Sequence, residues 1–105
     1  FENAIDYLQQ GLDLLLPTHR WHEHYDVTLK LTSTLAEVSC SSGDFIRCKH
    51  NIDEVVRNGK CFEDKFRIYF TTVQLLGLQN RFEEAFDIGK QILDSLGEKI
   101  VSSKL

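Results

Sequence analysis

The stretch GDFIRCKHNIDEVVRNG, residues 43 to 59, reads as one complete helix with both ends marked. Gly43 suits the left-handed position that closes a preceding helix, and Asp44 can cap the next one by accepting a first-turn amide. Phe45, Cys48, Ile52, Val55 and Val56 recur at three- and four-residue spacing, which lays them on one face of a helix over about 45–58. Asn58 and Gly59 end it by the same glycine logic.

Outward from this helix the same periodicity runs in both directions. A first helix is expected over about 2–16, with Ala4, Ile5, Leu8, Leu12, Leu15 and Leu16 on one face and Pro17 as its stop. Thr18 can cap a second over about 19–41, whose stripe is Trp21, Tyr25, Leu29, Thr32, Leu35 and Ala36. A fourth, over about 62–79, turns Phe62, Phe66, Tyr69, Val73 and Leu76 inward. Asn80 with Glu83 makes a capping-box-like start for the fifth, over about 82–96, which buries Phe82, Ala85, Ile88, Ile92 and Leu96 and ends at Gly97. The chain is expected to be all-α, with five helices in a single domain spanning 1–105.

Composition agrees with one folded domain. The 105 residues are 42% apolar and 27% charged, outside the disordered and fibrous ranges. Twelve basic against 16 acidic residues give a formal charge of −4, and the basic residues are scattered, which argues against nucleic acid or anionic lipid as a partner. The apolar run Leu14 to Leu16 is far below the roughly 20 residues that cross a bilayer, so no membrane insertion is expected. Cys40, Cys48 and Cys61 form an odd set without a C-x-x-C pair, which fits a reducing compartment and a cytoplasmic location. The opening Phe1, with no secretory leader, reads as the start of a segment excised from a longer chain.

Within the chain one pattern recurs. Phe1-Glu2-Asn3-Ala4, Phe45-Ile46-Arg47-Cys48 and Phe82-Glu83-Glu84-Ala85 each open a helix with an aromatic followed three residues later by a small residue. The second and third copies stand 37 residues apart, close to the roughly 34 of tetratricopeptide hairpins. The small residue lets two helices approach closely. The expected architecture is therefore antiparallel hairpins stacked as a tetratricopeptide-like right-handed solenoid fragment. It opens on the second helix of a hairpin, so a face of the first helix should be exposed.

The runs Ala4-Ile5 to Gly11, Trp21-x-x-His24-Tyr25-Asp26-x-Thr28-Leu29, Ala36-Glu37, Gly43-Asp44 and Asp64-Lys65 are more specific than a generic repeat. Together they resemble the helical region that follows the AAA or signal-transducing ATPase module in large proteins combining serine/threonine kinase, helical repeats, a GAF sensor and histidine kinase. The resemblance implies a non-catalytic scaffold or relay segment in signal transduction, with ATPase and kinase motifs elsewhere in the parent. This segment holds no G-x-x-x-x-G-K-[ST], G-x-G-x-x-G or kinase catalytic loop. Ser39 stands where the tetratricopeptide pattern usually has a large aromatic, and Gly89 occupies a small-residue position.

Reactive side chains are few. His19, His22 and His24 crowd the start of the second helix, and the i, i+3 pair His19 and His22 has a spacing that can hold a metal. No further ligand follows at a diagnostic interval, so these imidazoles are expected at an exposed helix start, with His24 making a buried hydrogen bond. His50 has no nucleophile at a usable spacing. Glu63, Asp64, Glu83 and Glu84 fall in first turns, where negative charge complements the helix dipole. Neither catalysis nor a cofactor is expected. A protein-binding groove is expected from the repeat phase instead, with Lys30, Ser33 and Glu37 beside Arg67, Phe70 and Gln74. Its occupant would be a neighbouring domain or a peptide, the latter if the chain is a free-standing adaptor. Phe70 is its one aromatic anchor. A His-cluster metal protein is the remaining alternative.

Overall fold

Gly43 has φ 85° and sits in the left-handed region, where its amide bonds to the Cys40 carbonyl and the Asp44 amide reaches back to Ser39. This paired arrangement ends one helix, and the Asp44 carboxylate starts the next by accepting from the Arg47 amide at 3.2 Å. The computed structural model describes residues 2–104, with side chains from 4 to 98. Among the described residues there are six helices and no strand: α1 (Glu2–Asp13), α2 (Arg20–Glu23), α3 (Tyr25–Ser42), α4 (Phe45–Asn58), α5 (Phe62–Leu78) and α6 (Phe82–Lys104).

The sixth helix arises because the expected 19–41 segment breaks at His24, whose φ −128° and ψ 45° leave the helical region. The Arg20 carbonyl there accepts both the His24 amide and the Thr28 hydroxyl, so the Thr28 side chain shares the last acceptor of α2. Tyr25, the first residue of α3, donates its hydroxyl to Asp64 at 2.6 Å and accepts the Lys60 amide at 2.8 Å. Lys60 also places its ammonium 4.2 Å from the Tyr25 ring centroid. The break lets α2 turn so that the Trp21 indole N–H reaches Glu54 on α4. No side chain caps α2, so Thr18 does not play the expected part. His24 is exposed rather than engaged in a buried hydrogen bond.

Three other boundaries differ from expectation. α1 stops at Asp13, because residues 14–19 tighten into turns ahead of and around Pro17. Asn80 does not cap α6. It takes φ 61° and closes α5, with its amide on Gly77 and the Arg81 amide on Leu76, the same paired ending that Gly43 makes. Gly97 does not stop α6, because a glycine that never enters the left-handed region only weakens a helix. Gly59, in turn, is extended, and its need for glycine is closeness: a Cβ there would come 2.8 Å from Lys65 and 2.9 Å from the Val55 carbonyl.

The core has two parts. Ile5 and Leu12 of α1 close on Leu35 of α3, flanked by Leu8, Leu31 and Val38. Ala36 and Cys40 of α3 meet Cys48, Ile52 and Val55 of α4, with Ile68 and Leu75 of α5 laid over them. The Ile68, Thr71 and Leu75 stripe of α5 was not anticipated, because the aromatics Phe62, Phe66 and Tyr69 dominate the helix's pattern. Phe82, expected inside, is 64% exposed, and Phe1 lies outside the described residues. From α2 onward each helix packs on its neighbours in sequence, and α3 also meets α1 and α5. The Cα extents of 42 × 35 × 18 Å describe a slab about two helices thick.

Ser39 is fully buried and its hydroxyl has no hydrogen-bond partner among the described residues. Ser39→Ala should therefore raise the melting temperature by about 4 to 8 °C, the equivalent of about 1 kcal/mol. Ser39→Phe should lower stability by about 1 to 3 kcal/mol through overpacking, both read by thermal unfolding. Burial pushes the Cys48 thiol up to about 12 and raises that of Cys40, whereas Cys61 is exposed. A thiol harder to ionise in the fold than in the open chain stabilises below its ordinary value of 9.0 and loses that contribution as pH climbs toward 12. Iodoacetamide at about pH 8 should label Cys61 alone in the native protein and all three cysteines in denaturant. The urea midpoint should fall above about pH 9, less steeply for Cys48→Ala.

Candidate protein-binding site

α3 and α5 lie side by side, and Arg67 ties them together. Its Nη2 donates to Glu37 Oε1 at 2.6 Å and to Thr34 Oγ1 at 2.9 Å, while Nε donates to Glu37 Oε2. This is a two-pronged guanidinium–carboxylate pair between helices, a geometry lysine could not supply. The Glu37 hydrogen bond raises the Arg67 pKa above its ordinary value. Both side chains are more than a third exposed, so the pair orients more than it stabilises.

Beside the pair opens a groove of about 620 Å³, lined by Glu37 and Ser41 from α3 and by Phe66, Arg67, Phe70 and Gln74 among others from α5. Phe70 is 54% exposed and stands edge-on to Phe66, with ring centroids 4.9 Å apart. The ring is thus held by an aromatic neighbour while much of its surface faces solvent. An exposed, pre-oriented aromatic next to a fixed charge pair is suited to anchoring a polypeptide.

Of the six residues expected to form a groove, Glu37, Arg67, Phe70 and Gln74 come together. Lys30 is exposed two turns before the lining begins at Glu37, and Ser33 is 2% exposed in the interior. Ser33 is buried because α3 is packed against α1, α4 and α5, so that more than one stripe of the helix is enclosed. Thr34, the third acceptor of Arg67, was missed; its place one turn before Glu37 was the available signal. Also missed was a second apolar stripe on α6, where Phe86 and Leu93 are 73% and 68% exposed at a seven-residue interval.

The histidines do not converge. His19 Nδ1 lies 3.5 Å from Glu23 Oε2 within one helical turn, and His22 and His24 are exposed. No group of three or more His, Cys, Asp or Glu side chains that could hold a metal occurs among the described residues. His50 borders a smaller polar cleft of about 230 Å³ together with Arg20, Trp21, Asn51 and Glu54. No helix among the described residues is long and apolar enough to cross a membrane. No known protein family, curated protein or solved structure matches the chain.

The two cross-helix ties should differ in weight. Arg67→Ala should cost less than about 1 kcal/mol, since the pair is solvent-screened. Tyr25→Phe, which removes two hydrogen bonds at a partly buried junction, should cost about 1 to 3 kcal/mol in urea unfolding.

Proposed function

We propose that this chain is a non-catalytic helical-repeat segment that binds protein surfaces and acts as a scaffold or relay within a large cytoplasmic ATP-binding signalling protein. Its ATPase and kinase modules would lie elsewhere in that parent, as the sequence resemblance implies. We read α3 with α4 and α5 with α6 as successive tetratricopeptide-like hairpins of a right-handed solenoid fragment. Supporting this are the matching turns at Gly43 and Asn80 and the packing of α5 on both helices of the preceding hairpin. The observation that carries the binding role is Phe70, more than half exposed beside the Arg67–Glu37 pair on a wall of two packed helices. Such a wall presents contacts without first having to fold, which lowers the entropic cost of association.

Rigid packing also suits a relay, since a displacement imposed at one hairpin is passed to the next as a change of orientation. A free-standing adaptor capturing a short peptide in the same groove is the second reading, favoured by the groove's apolar floor and charged edge. Panning a displayed random-peptide library against the chain should enrich binders that are lost with Arg67→Glu and Phe70→Ala at unchanged helicity. Failure to enrich any, or equal binding to the variants, would refute a binding groove. ATPase turnover of the parent left unaltered by deletion of residues 1–105 would count against the relay.

A further inference from the structure

The two hairpins superpose in sequence with a shift of 37 positions, set by the left-handed residues Gly43 and Asn80 and by the helix openings Phe45 and Phe82. Under that shift Ala36, Cys40, Cys48, Ile52 and Val55 correspond to Val73, Gly77, Ala85, Gly89 and Ile92. The first set is buried, with none more than 3% exposed, because α5 lies across it through Ile68 and Leu75. Four of the second set, Val73, Ala85, Gly89 and Ile92, line a hollow of about 470 Å³ between α5 and α6, bounded by the exposed rings and side chains of Phe70, Phe86 and Leu93. A Cβ at Gly77 or Gly89 would meet no atom within 4 Å. The hollow therefore stands where, one repeat earlier, a helix is seated.

The substitutions between the two seats say what would fit. Ile52 becomes Gly89 and Ser33 becomes Phe70, so bulk is removed from the second helix of the hairpin and added to the first. The space is deepened over Gly89 and walled at Phe70. Asp53 becomes Lys90, which borders the hollow and has no ion-pair partner among the described residues. We infer that the α5–α6 hollow is a seat for an amphipathic helix of a partner polypeptide, laid across the hairpin as α5 lies across α3 and α4. Its contact stripe falls at i, i+3 and i+7, the spacing of the buried Ile68, Thr71 and Leu75, and is apolar, with a large side chain over Gly89 and an acidic residue beside Lys90. This rests on the protein-binding reading and names a partner class for a hollow that shares Phe70 and Val73 with the groove but includes neither Arg67 nor Glu37.

The probe is a synthetic peptide of the α5 sequence 62–79 carrying Thr71→Leu to fill the space over Gly89, with Phe66→Lys and Phe70→Lys to keep it soluble. It is titrated into the full chain and followed in the amide NMR spectrum. Shifts should concentrate around Val73, Gly89 and Leu93, and Gly89→Phe, which fills the hollow without removing a contact, should weaken binding by about tenfold or more. Leu93→Asp should do the same, whereas Arg67→Glu should leave it unchanged. A peptide bearing Ile68→Asp and Leu75→Asp should not bind. No shifts at saturating peptide, shifts elsewhere, or binding indifferent to Gly89→Phe would overturn the seat, and library binders that still depend on Arg67 would show that the groove reading survives it. Sedimentation of the chain alone is the remaining arm. A dimer that Gly89→Phe dissociates would assign the hollow to a second copy and overturn the partner helix.

Discussion

Close approach of α3 and α4 is the constraint on which the other packing depends. Ala36, Cys40 and Cys48 bring little bulk to the contact and are each no more than 1% exposed, which allows the two helices a close approach. The residues with volume, Ile52 and Val55, are thereby free to form the floor on which α5 rests, and Leu35 is turned to the opposite side to receive α1. Larger residues at the three small positions would spread the hairpin and withdraw both surfaces at once. The same closeness explains the raised thiol pKa of Cys40 and Cys48, since there is no room for the water that would solvate a thiolate.

Around that hairpin the polar ties act as locators. Tyr25 binds the start of α3 to the start of α5 through Asp64 and the Lys60 amide, Trp21 binds α2 to α4 through Glu54, and Arg67 binds α5 back to α3. Each joins positions some 30 or more residues apart, and each lies at the edge of an apolar contact rather than in its centre. Non-directional burial brings the helices together, and directional bonds at its margins fix how far they slide.

Much of this was legible in the sequence, and the exceptions have physical causes. Helix α4 was legible to the residue because Gly43, Asp44 and Gly59 mark its ends and its apolar face is continuous. The break at His24 was not, since it depends on Thr28 capturing the Arg20 carbonyl and on Tyr25 being held by residues 35 or more positions away. Asn80 was read as a helix start because asparagine serves both as an N-cap and in the left-handed region, and only the tertiary course of the chain separates the two. On α5 the eye follows the aromatics, yet this helix is packed on two sides, and the narrower stripe through Ile68 and Leu75 sits deeper. Of the six groove residues, Glu37, Arg67, Phe70 and Gln74 line one groove, whereas Lys30 lies two turns before it and Ser33 is enclosed because α3 is packed by α1, α4 and α5.

The uneven neighbourhood of α6 has a dynamic consequence. Whereas α3 is enclosed by helices on several sides, α6 rests chiefly on α5. Local opening of α6 breaks packing against a single neighbour, so its amides should stand toward the low end of the protein's ladder of hydrogen-exchange protection. Any body that settles against α5 and α6 together would slow that opening and stiffen that side of the slab. Occupancy of one face would then be felt as order along the whole of a helix, a signal carried by loss of motion without displacement of the backbone.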